Sequence, residues 1–276
     1  MKFCSKPLER KLGAGASGQV FKVGEKTAIK LICLTRDEKN FLNHGICEPL
    51  EIDILSRFKH PNILHKLGIQ TCSQGIGIVL PLLNTVKNTK ASIDTRIKWC
   101  YQLAVALDIL HSNNLIHMDI KPENVLIDDN NNLVLSDFGL ACQTTNGEFQ
   151  INRTTMRGTL PYIPPEMIWS FEKNIKPSVF TTKMDLWSYA VTCNHLLQGN
   201  LWRRFFDSID SIDDPRILNK IVIYNEEDRY NVMRDSLPNP EAVGDFVFLL
   251  SMTISPNPLD RPSAQDIVRF FSSSPY

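Results

Sequence analysis

The chain has 276 residues, enough for one large domain or two small ones, and 43% hydrophobic residues supply ample material for a packed core. Lys plus Arg and Asp plus Glu each number 30, so the formal net charge is zero, and the general electrostatic argument for nucleic-acid binding falls away. Seven cysteines (Cys4, Cys33, Cys47, Cys72, Cys100, Cys142 and Cys193) form no C-x-x-C pair, which argues against a zinc knuckle or disulfide framework and for a reducing compartment.

The N-terminal stretch MKFCSKPLERK lacks the apolar core of a signal peptide, and no segment approaches the roughly 20 apolar residues needed to cross a bilayer. The expected protein is a soluble intracellular monomer, cytoplasmic or nuclear, that binds neither membrane nor nucleic acid. From Leu12 the chain reads LGAGASGQV, with Gly13, Gly15 and Gly18 in the spacing G-x-G-x-x-G. In a dinucleotide-binding fold such glycines open a helix. Here residues 19–23 read as a strand, Gly24-Glu25 as a turn and residues 27–32 as a second strand, so the glycines belong to a hairpin. Alternation puts Ala28, Lys30 and Ile32 on one face of that second strand. A lone strand lysine is usually a solvated edge residue. The glycine loop just upstream makes Lys30 a candidate phosphate ligand instead.

A helix begins near Pro49, a residue suited to a first turn. Glu51, Leu55 and Phe58 then share one face. A carboxylate on an apolar face needs a partner, and Lys30 is the natural one. Of the rival acids Glu48 and Asp53, the second lies two residues from Glu51 and points elsewhere. Residues 76–83, IGIVLPLL, read as a buried strand. Residues 92–112 carry the helical stripe Ile97, Tyr101, Ala104 and Leu107 and end at Asn113-Asn114.

The stretch from His117 to Gly139, HMDIKPENVLIDDNNNLVLSDFG, carries the chemistry. Apolar runs at 125–127 and 133–135 flank the tract Asp-Asp-Asn-Asn-Asn and read as a β-hairpin. Asp119, Lys121 and Asn124 lie just before its first strand and Asp137 just after its second. The hairpin therefore brings two acids, an amide and a lysine to one place. One carboxylate can orient and deprotonate an attacking hydroxyl. The other, with an amide oxygen, can hold Mg²⁺, and the lysine can offset charge on a moving phosphoryl group. Asp128 and Asp129 sit at the far turn, where solvation explains them. Residues 181–197 are apolar nearly all round and read as a buried helix, with Asp185 a candidate cap after Thr182. Residues 199–257 carry no motif: the aromatics of LWRRFF at 201–206 read as core, and the acidic run 207–214 as a solvated loop.

The order H-x-D-x-K-x-x-N followed by D-F-G resembles the eukaryotic protein kinase family, and the likeness runs from about Leu12 to Pro262. T-A-I-K at Lys30 resembles the family's V-A-I-K. EIDILSRFKHPNIL resembles its regulatory helix and the H-P-N-I stretch beyond. GTLPYIPPE resembles G-T-x-x-Y-x-A-P-E, D-L-W-S resembles D-x-W-S, and Asp260-Arg261-Pro262 resembles a late family motif. The resemblance implies an α+β, two-lobed fold in one domain over residues 1–276. A small, mostly antiparallel β lobe with one regulatory helix would span about 8–83, a hinge about 81–86, and a larger, mostly α-helical lobe about 87–273. It implies ATP with Mg²⁺, or Mn²⁺ in its place, and protein substrates; Lys121 together with Thr159 is the pattern of the serine/threonine branch.

By the same resemblance, Asp119 is the base, Lys121 contacts the γ-phosphate, and Glu51 fixes Lys30 against the α- and β-phosphates. Asn124 and Asp137 bind the metal, with Gly139 permitting the turn after Asp137, and His117 packs as a structural residue. Nucleotide contacts fall to Leu12, Gly13, Ala14, Gly15, Ala16, Ser17, Gly18, Gln19 and Val20 of the glycine loop, and to Ala28, Leu80 as gatekeeper, Leu83 in the hinge and Leu126 beneath adenine. Asp185 holds the catalytic loop's backbone, and Arg261 pairs with Glu166. Several positions depart from the family pattern. Pro81 removes a hinge donor, Pro164 replaces alanine, and Ala190 replaces glycine. Met118 stands where most regulated relatives have an arginine that clamps a phosphate on the activation segment, here 137–166. Methionine cannot do so, and activity independent of phosphorylation at Thr155, or at its neighbour Thr154, is expected. The alternatives are a nucleotide-binding pseudokinase scaffold, usually marked by loss of the lysine or an aspartate retained here, and a small-molecule kinase, which normally lacks G-T…P-P-E and D-x-W-S.

Overall fold

The computed structural model describes residues 9–15, 18–33, 48–72, 75–145, 147–151, 158–160, 162–173, 178–199 and 225–273. Ala16 and Ser17, the threonines 154 and 155, and the stretches 201–206 and 207–214 lie outside the described residues. The first lobe is a five-stranded antiparallel sheet of β1 (Lys11–Gly15), β2 (Gly18–Lys22), β3 (Thr27–Cys33), β4 (Gly68–Cys72) and β5 (Gly75–Pro81), in the order β1-β2-β3-β5-β4. The central strand β3 is buried on both faces. Ala28 and Lys30 turn to one side; Ile29 and Leu31 turn to the other, where they join Val23 in a small cluster with Phe21 and Val79 packed against it.

Helix α1 (Glu48–Arg57) presents Ile54 and Leu55 to the core and carries the buried Glu51 among them. Asp53, the rival acid, pairs instead with exposed Arg57 at 3.6 Å. Phe58, just past the last turn, remains buried. The chain then crosses to the second lobe, where Asn62 and Leu64 bond to the backbone of β9 (Leu133–Leu135). Asn62 Nδ2 donates to the Leu133 carbonyl at 2.7 Å, Leu135 N–H to the Asn62 carbonyl at 2.9 Å, and Leu64 N–H to the Leu135 carbonyl at 2.9 Å.

Helix α2 (Ile93–Ser112) starts where the Ser92 hydroxyl accepts the Thr95 N–H at 3.3 Å, satisfying one of the orphan donors of a first turn. It ends at Asn113, and Asn114 turns the chain with φ 58°. Next come β7 (Leu115–Ile116) and a short 3₁₀ turn (Pro122–Asn124), then β8 (Val125–Ile127) and β9, which pair antiparallel over the two apolar runs read from the sequence. Strand β6 (Asn84–Thr85), from the link between the lobes, adds to β8. Beyond the hairpin lie β10 (Cys142–Gln143), paired with β7, and β11 (Glu148–Ile151), paired with β12 (Ser178–Thr181).

Among the described residues the second lobe also holds the helices α3 (Pro165–Glu172), α4 (Lys183–Leu196), α5 (Glu226–Ser236), α6 (Phe246–Thr253) and α7 (Ala264–Ser273). Helix α4 is the buried helix expected, with Trp187, Tyr189 and Ala190 fully enclosed. The capping expectation at its start does not hold: the Thr182 side chain makes no cap bond, and Asp185 is used elsewhere. Helices α5 and α6 lie where no motif was legible. Only Met233 and Ser236 of α5 are buried, so it shows no apolar stripe, and α6 is a short apolar run that periodicity cannot classify. The architecture is α+β and two-lobed, a β-rich first lobe with one helix followed by a helical second lobe. Among the described residues no helix is long and apolar enough to cross a membrane.

Candidate active site

The lysine of β3 reaches across the lobe boundary. Lys30 Nζ lies 2.7 Å from Glu51 Oε1 on α1 and 2.7 Å from Asp137 Oδ1, beyond the end of β9. Antiparallel pairing of β3 with β2 and β5 sets where Lys30 emerges, and the stitching of residues 62–64 onto β9 sets where α1 hangs. The ion pairs follow from those two constraints. Burial by itself lowers the Lys30 pKa, but the charges of Glu51 and then Asp137 more than offset it, and the ammonium is held above its ordinary value.

The second group of side chains sits on the loop between β7 and β8. Asp119 is buried, its Oδ2 2.6 Å from Lys121 Nζ and its Oδ1 accepting from the Thr159 hydroxyl at 3.0 Å. Lys121 also donates to Thr159 at 2.8 Å, closing a triangle. Asn124 Nδ2 donates to the Asp119 carbonyl at 2.7 Å and to its Oδ2 at 3.0 Å. The two groups are joined by Ser136, whose N–H and hydroxyl both donate to the Asn124 carbonyl at 2.9 Å. Asp137 is the next residue. Convergence by the hairpin is therefore literal: its two ends are bonded to each other.

His117 is fully buried. Its Nε2 donates to the Ser136 carbonyl at 3.0 Å, its Nδ1 accepts the Asp119 N–H at 3.3 Å, and its ring meets Phe138 edge-on at 5.2 Å. With both nitrogens engaged, it packs the loop rather than serving as a base. The loop's backbone is held from below by Asp185 on α4, which accepts the His117 N–H at 2.8 Å, the Met118 N–H at 2.9 Å and His111 Nε2 at 2.9 Å. Burial would raise the Asp185 pKa, but the hydrogen bond and charge of His111, with help from His117, hold the carboxyl below its ordinary range. Met118 sits at φ 72°, an uncommon conformation for a non-glycine residue. With Tyr162, Ile163 and Met184 it lines a cavity of about 10 Å³, room for one water at most.

The glycine expected to relax the turn after Asp137 is not the residue that needs it. The left-handed backbone falls on Asp137 itself, φ 59°; Gly139 lies in the turn that follows, closed by the Ala141 N–H on the Phe138 carbonyl at 3.1 Å. In the glycine loop, Gly13 has open space around it. Gly18 has φ 136°, and a Cβ there would lie 2.4 Å from the Leu31 carbonyl oxygen. The loop hairpin β1–β2 thus lies directly against the strand that bears Lys30, with Gly13 paired to Val20, Ala14 to Gln19 and Gly15 to Gly18. Leu12 is exposed at its edge. Ala28 and Leu80 are buried opposite each other on β3 and β5; Leu126, on β8, and Leu83 are half-buried near the link between lobes.

The donor set suits a hard cation. The Asn124 amide nitrogen is committed to Asp119, and no described residue donates to its oxygen. The Asp137 side chain is 36% exposed. Mg²⁺ takes one or two carboxylates and completes its shell with phosphate oxygens and water; among the described residues no three His, Cys, Asp or Glu side chains form a cage. Two features escaped the sequence reading. His111, in the last turn of α2, looked like any C-terminal histidine, and the pairing of β11 with β12 joins segments about 30 positions apart with no local signal.

A family model for the protein kinase domain matches residues 7–270. Among similar curated proteins, CBL-interacting serine/threonine-protein kinase 15 of Arabidopsis thaliana is 31% identical over 94% of this chain and 58% of its own length. The Aurora kinase of Debaryomyces hansenii is 34% identical over 76% of this chain and 51% of its own length, and Aurora kinase B of Drosophila melanogaster 31% over 68% and 57%. The chain spans about half the length of the curated relatives it matches. Sheet, hairpin, interlocked ion pairs and family match agree: the chain belongs to the protein kinase family.

Proposed function

We propose that the chain is a serine/threonine protein kinase that transfers the γ-phosphoryl group of ATP to protein hydroxyls. The observation that supports it best is that Lys30, Asp119 and Asp137 are all retained and all hydrogen-bonded at one boundary between the lobes, whereas a scaffold derived from this fold usually lacks one of them. Asp119 orients the substrate hydroxyl and accepts its proton. Lys121 and Thr159 hold the Asp119 carboxylate in place, and Lys121 offsets charge on the phosphoryl group in flight. Lys30, fixed by Glu51, takes the α- and β-phosphates, and the backbone of residues 12–15 and 18–20 closes over them. Ala28, Leu80, Leu83 and Leu126 form the adenine slot. The family generally uses ATP and Mg²⁺; Asn124 and Asp137 would hold the ion, which screens the phosphate charge.

Met118 carries no charge, and we infer that transfer does not wait for a phosphate on the activation segment. The test of the enzyme is incubation of pure protein with labelled ATP, Mg²⁺ and generic protein substrates, followed by phosphoamino-acid analysis. Label on serine and threonine is expected. Asp119→Asn should lower turnover by on the order of 10²–10⁴-fold with nucleotide affinity retained. Equal, negligible label from parent and variant would instead favour a nucleotide-binding scaffold.

A further inference from the structure

Two main-chain pairings hold the stretch that follows Asp137. At one end, Cys142 and Gln143 of β10 pair with Ile116 and Leu115 of β7, and β7 runs straight into His117. At the other, β11 pairs with β12 in the register Glu148↔Thr181, Phe149↔Phe180, Gln150↔Val179, Ile151↔Ser178, and β12 runs within two residues into α4, whose Asp185 holds the loop's N–H groups.

The turn before β11 reveals which of those pairs are bonded. Glu148 uses its own C=O and N–H on Thr145, at 2.8 and 3.1 Å. Successive strand residues direct their polar groups to opposite sides, so Phe149 and Ile151 direct theirs at β12. Phe149↔Phe180 and Ile151↔Ser178 are then the hydrogen-bonded pairs, and Gln150↔Val179 is not. The bonded pair at the centre is also packed: Phe180 is buried, and Phe149 is half-buried against the same core. Val179, between the bonded pairs, is exposed.

We propose that the β11–β12 ribbon is the clamp that keeps the activation segment in its working position, with backbone hydrogen bonds in the role that an arginine–phosphate pair plays where Met118 is arginine. Opening the ribbon is the off-state. The proposal rests on the kinase reading above and adds to it the element that makes the segment independent of phosphate.

Two variants one residue apart test it in phosphatase-treated protein. Ser178→Pro deletes an N–H aimed at β11; Val179→Pro deletes one aimed away. S178P is expected to lower kcat by about 10²-fold, the usual consequence of misplacing a catalytic segment by an ångström, with KM for ATP and Tm close to parent. V179P should stay within about two-fold of parent. Equal kcat in the two variants overturns the proposal. Should S178P not fold, a cross-link decides. Cα atoms of a non-bonded antiparallel pair lie about 4.5 Å apart, within the range a disulfide spans. Gln150→Cys with Val179→Cys should exchange with glutathione disulfide, forming one protein disulfide and releasing two glutathione thiols, and the closed form should keep parental kcat. A pair that will not close, or a closed form that works only after reduction, overturns the proposal. A parent silent after phosphatase but active once phosphorylated defeats the ribbon alone; a parent silent in both forms defeats the enzyme.

Discussion

Asp185 shows how much one buried carboxylate can organise. It is 1% exposed and accepts from two loop N–H groups and one histidine, so it supports Asp119 without touching it. Its folded pKa lies below the ordinary carboxylate range, near 4 in an unfolded chain. A depressed folded value means stability that is present above the unfolded pKa and lost as pH falls through the folded one. Asp185→Asn should therefore flatten the stability profile below about pH 4, as well as lower kcat at neutral pH through the loosened loop; urea titrations across pH measure the first effect directly. His117 makes a complementary point. A histidine two residues from a buried aspartate invites a role in proton transfer, and its two satisfied nitrogens agree with the packed role that the resemblance implied.

At the scale of elements, close approach decides which residues are replaceable. Gly18 brings the β1–β2 hairpin against the Leu31 carbonyl with no room for a methyl group. Gly18→Ala should cost about 1–3 kcal/mol of stability and raise KM for ATP, read by urea unfolding and nucleotide titration; an unchanged KM would detach this glycine from nucleotide binding. Helices α3 and α4 are joined to the start of α7 by Arg261. It is 1% exposed, bonds both Glu166 oxygens at 2.8 and 2.7 Å, donates to the Ser255 and Lys183 carbonyls, and lies 5.5 Å from the Trp187 ring. Lysine cannot reproduce that fork. Arg261→Met, which removes the charge as well, is expected to lose about 3–5 kcal/mol, the usual result of breaking a buried pair, visible as a lowered denaturation midpoint.

Across the whole molecule, the lobes are linked by the Lys30–Asp137 bridge and by residues 62–64 on β9. Ligand bound at that boundary should stabilise both lobes together. With Mg·ATP at a hundredfold excess over Kd, about 2.7 kcal/mol is expected, which for a chain of this size raises Tm by roughly 5–10 °C. Asp137→Asn should erase the Mg²⁺-dependent part of that rise. A Tm indifferent to Mg²⁺ in the parent would remove Asp137 from metal binding.

Much of this was legible in the linear chain because the information is local. Two apolar runs around a polar tract specify a hairpin, and a hairpin brings its ends together, so Asp119, Asn124 and Asp137 had to meet whatever surrounded them. The stripe of α2 and the all-round apolar run of α4 are equally local. Other features depend on contacts between segments far apart in the chain. The polar helix α5 has too few buried positions to announce itself, and the left-handed backbone falls on Asp137 rather than on the glycine two residues later. His111, Asp185 and the loop N–H groups form one network only once α2 and α4 are packed. The β11–β12 ribbon arises the same way. Backbone hydrogen bonding is blind to side-chain identity, so no residue pattern marks which strands will pair across such a distance; packing of Phe149 and Phe180 against a common core brings them into register.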